Sequence, residues 1–196
     1  MLTRWTMNFE FETPEHQHLV PLYEKKLVLI GCTGIHVKGT SVHPIFAAAL
    51  GRYFGLPSVL RDTTTYGKDK VDALCKDIAH RWCDEGSVLI LLDDQQRPVD
   101  FVKVKTFWYI LLRAIREKVR QLAGQNAAVA RACNRIEVRL NELQRSMKIP
   151  KDIVAVYKSL GVKLAVWMAE DPKRIDRFKE GQYPILWLEF LASEGL

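Results

Sequence analysis

Phe101-Val102-Lys103-Val104-Lys105-Thr106-Phe107-Trp108-Tyr109 is the stretch on which the fold turns. Through Lys105 it alternates with period two, as a β-strand does; from Thr106 onward the apolar spacing becomes helical. Thr106 sits where a helix N-cap belongs. The chain reads as β-rich before this point and all-helical after it, which argues an α+β chain with a helical appendage. Working back, Asp93-Asp94-Gln95-Gln96-Arg97-Pro98 reads as the polar turn of a hairpin. Its first arm is the apolar run Ser87 to Leu92, opened by Glu85-Gly86.

Further upstream, Trp5-Thr6-Met7-Asn8-Phe9-Glu10-Phe11-Glu12 alternates strictly. Trp5, Met7, Phe9 and Phe11 are expected on one buried face, Asn8 and Glu10 on the other. Thr13-Pro14 ends that strand, and Lys26 to Gly31 is expected to pair with it antiparallel. His43 to Phe54 reads as a helix capped by Ser41, and Lys68 to Cys83 as another, with Val71, Leu74, Cys75, Ile78 and Trp82 on one face. Downstream, four helices are expected: Ala127 to Met147, Lys151 to Met168, a short one opened by Asp171-Pro172, and Gln182 to Phe190. Gly124-Gln125-Asn126 suggests a boundary, dividing the chain into 1–124 and 125–196.

Composition narrows the possibilities. With 48% hydrophobic and 27% charged residues among 196, the chain is of ordinary globular type. It has no apolar run near the roughly 18 residues a bilayer span needs. The opening Met1-Leu2-Thr3-Arg4-Trp5 is not read as a signal peptide, so the expected location is cytoplasmic or nuclear, with no membrane partner. Cys32, Cys75, Cys83 and Cys133 lack metal spacing and read as reduced thiols; Cys75, His80 and Cys83 fall in a helical pattern and read as packing residues rather than zinc ligands. Charge is uneven. Residues 1–111 hold 13 Lys+Arg against 13 Asp+Glu, whereas residues 112–196 hold 16 against 10, a net of +6. A basic helical half suits a polyanionic partner, although solvated helix faces give the same count.

Several residues carry candidate chemistry. Lys103 and Lys105, two apart on a strand, leave one face roughly 6–7 Å from each other, a spacing suited to neighbouring phosphates; solvating lysines on an edge strand are the alternative. Glu85, at the mouth of an apolar strand and followed by a glycine that admits close backbone approach, offers oxygen to Mg²⁺. Asn8 and Glu10 can accept bonds from ribose hydroxyls. Tyr109, Arg113, Arg116 and Arg120 recur at spacings of four, three and four on one helical stripe, as a phosphate-backbone contact would, or as a surface helix would. Lys70-Val71-Asp72-Ala73 has the shape of an adenylated-lysine signature but has alanine where glycine belongs and lies in a helical pattern, so it reads as coincidence.

Taken in order, these pieces resemble the phage-type RNA ligases that repair broken tRNA, members of the covalent nucleotidyltransferase superfamily. Asn8-Phe9-Glu10-Phe11 with the Pro14 turn and Lys26-Leu27-Val28-Leu29 is similar to that family's motif IIIa. Glu85-Gly86-Ser87-Val88 is similar to motif IV, and Lys103-Val104-Lys105 with Trp108-Tyr109 to motif V. The likeness covers about residues 5–116. It implies the distal half of an antiparallel-sheet nucleotidyltransferase domain followed by an all-helical C-terminal domain. It also implies ATP and Mg²⁺ or Mn²⁺ as cofactors and RNA, tRNA included, as substrate. By the same resemblance Glu85 binds the metal and Lys103 and Lys105 contact the α-phosphate and the leaving pyrophosphate. Glu10 supports the nucleoside, Tyr109 touches the phosphates, and Arg113, Arg116 and Arg120 hold RNA. In that family a lysine is adenylated by ATP, AMP passes to an RNA 5′-phosphate, and a 3′-hydroxyl displaces it.

The family's nucleophilic lysine precedes motif IIIa, and only nine residues precede Glu10. The expectation is therefore a chain that lacks the adenylated lysine: part of a longer ligase, one subunit of a split enzyme, or a remnant. A non-catalytic RNA-binding module is the alternative. DNA ligases and capping enzymes usually carry an OB-fold after motif V, and nothing after residue 125 reads as a five-stranded barrel. The premise shared by all the catalytic readings is that Glu10, Glu85, Lys103 and Lys105 face one cavity.

Overall fold

A computed structural model describes residues 5–16, 19–34, 43–59, 67–95, 97–123 and 129–196. The chain is α+β: two small two-stranded antiparallel sheets and seven α-helices among the described residues. By contacts it divides into two compact units.

The first unit comprises Met1–Pro14, Leu22–Lys76 and Ser87–Val104. Strands β1 (Trp5–Glu12) and β2 (Lys26–Gly34) pair antiparallel, as expected. The register shifts where Asn8 pairs Gly31 and Phe9 pairs Leu29, leaving Ile30 as the extra residue of a bulge. The bulge explains the small core beneath this sheet. Leu29 and Cys32 are three apart, so a regular strand would send them to opposite faces; the extra residue brings both to one face, with Met7 and Phe9 opposite them. Helix α1 (Pro44–Tyr53) packs there through Ala47 and Leu50. Phe11 departs from the expected buried face and is 64% exposed. Ser41, the expected cap of α1, lies outside the described residues; His43 is the cap, its Nδ1 accepting from the Ile45 N–H at 3.3 Å.

Strands β3 (Gly86–Leu92) and β4 (Pro98–Lys105) form the second sheet. Asp93 ties their turn: its carboxylate accepts from the backbone N–H groups of Gln95 and Arg97 and pairs with the Arg97 guanidinium at 2.7 Å. Those hydrogen bonds hold the Asp93 carboxyl below its usual range. This ribbon is apolar on both faces. Val88 and Val102 on one set of positions, and Leu91, Val99 and Phe101 on the other, are all exposed.

The second unit comprises Glu15–Pro21, Asp77–Gly86 and Lys105–Leu196. It holds the end of α2 (Lys68–His80) and helices α3 (Phe107–Val119), α4 (Val129–Met147), α5 (Lys151–Glu170), α6 (Pro172–Lys179) and α7 (Tyr183–Ser193). Helix α2 contains Lys70-Val71-Asp72-Ala73, in keeping with the coincidental reading of that segment. The core of the unit joins Leu111, Ile115, Ile136, Leu140, Leu164 and Trp187, each at most 1% exposed. The Asp171-Pro172 start expected for α6 is present, with Asp171 Oδ1 accepting from the Lys173 N–H at 2.9 Å. Sequence punctuation groups the helix after Lys105 with residues 1–124; its apolar face instead packs into this helical core. The Gly124-Gln125-Asn126 segment lies outside the described residues.

Candidate functional site

The geometry centres on Thr106. Its hydroxyl accepts from the Tyr109 N–H at 3.0 Å, capping α3 as its position in sequence suggests. The same hydroxyl donates to the Asp84 carbonyl at 2.5 Å, and the Thr106 N–H donates to the Glu85 carbonyl at 3.3 Å. One fully buried residue therefore caps α3 and, through two of its three bonds, holds segment 84–86 against the start of that helix. Asp84 closes the turn by accepting from the Gly86 N–H at 3.1 Å. Gly86 has φ 127°, a backbone conformation that side-chain-bearing residues rarely adopt, so glycine after Glu85 answers a backbone need.

The clasp sets three of the sequence-derived site residues side by side. The Lys105 ammonium forms an ion pair with the Glu85 carboxylate. It also lies 4.2 Å from the centroid of the Tyr109 ring, within cation–π range. Lys105 is mostly covered and Glu85 about half covered. Glu10 and Lys103 belong to the first unit, where both side chains are exposed on β1 and β4. The structure thus groups Glu85, Lys105 and Tyr109 in one unit, with Glu10 and Lys103 in the other.

Arg113 and Arg116 follow Tyr109 on α3, and Arg120 opens the 3₁₀ turn that ends it. None of the three forms an ion pair among the described residues. Arg116 is half-buried, and its charge acts on the Tyr183 hydroxyl at the start of α7. Complete burial pushes that phenol far above its usual range, against the smaller opposing pull of Arg116.

Trp82 was expected on the apolar face of a helix running to Cys83. The helix ends at His80, Cys83 takes φ 55°, and Trp82 is 60% exposed. Its ring meets Trp108 at 6.1 Å and 64°, and Tyr157 at 6.4 Å and 40°. The sequence carried no glycine or proline to announce that stop, so the position of Trp82 was hidden. His80 meets Phe107 edge-on at 5.1 Å but is exposed overall, and Cys83, expected to pack, is exposed too. Among the described residues no group of three or more His, Cys, Asp and Glu side chains is placed to hold a metal. No helix of the described residues is long and apolar enough to cross a membrane. Comparison with family models and with curated proteins finds no match.

Proposed function

We propose that the chain is the distal part of an ATP-dependent RNA ligase that joins a 5′-phosphate to a 3′-hydroxyl, with the adenylated lysine supplied by another polypeptide segment. The observation that carries this reading is the Glu85–Lys105–Tyr109 grouping at the start of α3. It sets a hard carboxylate donor beside an ammonium that is shared between that carboxylate and an aromatic face. A metal-bound triphosphate requires those two charges side by side.

Glu85 suits one ligand position of Mg²⁺, an ion that takes few protein carboxylates and fills its remaining positions with phosphate oxygens and water. When bound, the ion would neutralise charge on the phosphates. The protein's own contribution is charge and position. Lys105, held by Glu85 and Tyr109, would face the phosphates as a point charge. Lys103 would add a second cation, and Glu10 would accept from a ribose hydroxyl. The Arg113, Arg116 and Arg120 row would bind the RNA backbone.

The β3–β4 ribbon supports the incomplete-domain reading. A sheet apolar on both faces belongs between covering layers, and a two-stranded ribbon alone is marginally stable. The 196 residues contain no lysine–x–aspartate–glycine sequence. A non-catalytic RNA-binding module is the competing reading, favoured by the fact that the arginine row, without an ion pair among the described residues, lies wholly in the helical unit.

Labelling separates the two. Incubated with radiolabelled ATP and Mg²⁺, this chain is expected to take up no covalent label. Mixed with a segment bearing the lysine–x–aspartate–glycine sequence, it is expected to seal nicked RNA, and Lys105→Ala or Glu85→Ala should each lower sealing at least a hundredfold, the scale of losing one charge-stabilising group. A labelled band from the chain alone would refute the divided site. Sealing that survives both alanines would refute the residue assignment, and no sealing in any mixture favours the binding module.

A further inference from the structure

We propose that Trp82 is a stacking platform for a nucleobase of single-stranded RNA, an inference that rests on the RNA-binding reading above and adds to it a base-contacting residue. Trp82 is the most exposed tryptophan among the described residues, at 60%, while Trp108 and Trp187 are 3% and 1% exposed. Exposing so large an apolar ring is costly, about 25 cal/mol for each Å² left in water. The ring is not loose, because it rests on two buried aromatic side chains, Trp108 and Tyr157. One side is therefore fixed by packing and the rest faces solvent. A rigid, half-free aromatic plane is what base stacking uses, and the contact tolerates any base because each has a π-face.

Size decides between stacking and insertion. Trp82 borders a crevice lined also by Pro21, Cys83, Trp108, Pro184 and Leu188, whose enclosed volume is about 10 Å³. That is the room of a single water molecule, too little for a base. A base therefore lies on the outer face of the ring rather than entering.

Charge decides between RNA and an apolar protein partner. Pro184 lines the crevice, and the neighbouring Tyr183 is the residue on which the Arg116 charge acts. Trp82 packs on Trp108 in the first turn of α3, and the arginines follow along the same helix from Arg113. Along α3, Arg113, Arg116 and Arg120 are about 4.5 and 6 Å apart in axial rise. None is neutralised by a carboxylate among the described residues. An aromatic platform leading into a row of unpaired guanidinium groups matches a base followed by its phosphates.

The test compares a single-stranded RNA oligomer with an abasic oligomer of the same length and charge. Wild-type protein is expected to bind the base-bearing strand more tightly. Trp82→Ala should weaken that binding about tenfold and leave abasic binding unchanged, with Trp82→Phe in between. Thermal melts of both variants check the fold, and Trp82→Phe keeps the packing against Trp108 should the alanine variant melt early. Base-bearing RNA bound equally by wild type and Trp82→Ala overturns the proposal and leaves the exposed ring to a protein partner. Equal weakening for both oligomers also overturns it. A wild-type chain that binds neither oligomer removes the RNA reading itself, a failure distinct from loss of the tryptophan effect alone.

Discussion

Thr106 is fully buried, yet it is a polar residue whose hydroxyl and amide are all engaged. Its cap on α3 was legible from sequence, because a threonine at the change from period two to helical spacing is an N-cap signal. Its second task was not legible. Nothing in the order of residues states that the same hydroxyl reaches back 22 residues to the Asp84 carbonyl. That long-range bond positions Glu85 beside Lys105. Thr106→Ala removes the acceptor of one backbone N–H and the donor to the partly buried Asp84 carbonyl, so it should destabilise the protein by about 2 kcal/mol. Thr106→Ser retains both bonds and should cost well under half of that. Urea denaturation of the two variants checks this; an alanine variant within about 0.5 kcal/mol of wild type would mean that the clasp is replaced by solvent. Trp82 and Glu10 mark the limit of residue-level reading. Their surroundings depend on where a helix stops and how the chain divides.

Elements show the same contrast. Long helices were readable because their apolar spacing repeats over many turns: α5 and α6 begin where Lys151 and Asp171-Pro172 suggest, and α4 ends at Met147. Short sheet elements were readable in type but not in burial. The β1 alternation is real, but the bulge beside Phe9 and the small layer beneath leave Phe11 in water. Packing between helices supplies its own test at Gly161, which lies in the middle of α5. A Cβ built there would meet Ile136 Cγ2 at 2.9 Å and Ile115 Cδ1 and Cγ1 at 3.1 Å. Both isoleucines are fully buried and stiff at χ1, so neither yields easily. Alanine gains about 1 kcal/mol in helix propensity over glycine, while overpacking costs about 1–3 kcal/mol. Gly161→Ala should therefore be destabilised by about 1 kcal/mol, the excess of overpacking over propensity. Gly161→Val should be far worse. An alanine variant that unfolds at a higher urea midpoint than wild type would show that α5 does not approach α3 and α4 this closely.

At the scale of the whole molecule, charge and core are distributed differently from what punctuation suggests. The first 111 residues are neutral and the rest carry +6, and because α3 packs with the helices its arginine row shares one unit with the remainder of that basic span. Gly124 drew the sequence boundary to the end of α3, whereas the apolar face of α3 determines its true company. If the excess charge acts through a specific row rather than as a diffuse field, its effect on RNA binding depends on position. Each phosphate contact contributes about one unit to the slope of log affinity against log salt. Arg113→Glu with Arg116→Glu should therefore weaken RNA binding and flatten that slope by about two. Arg145→Glu with Lys151→Glu makes the same change in net charge on α4 and α5 and should leave the slope near that of wild type. Binding measured across a salt series distinguishes them. Equal flattening in both variants would mean that net charge alone attracts the RNA and would remove the row on α3 as its docking line.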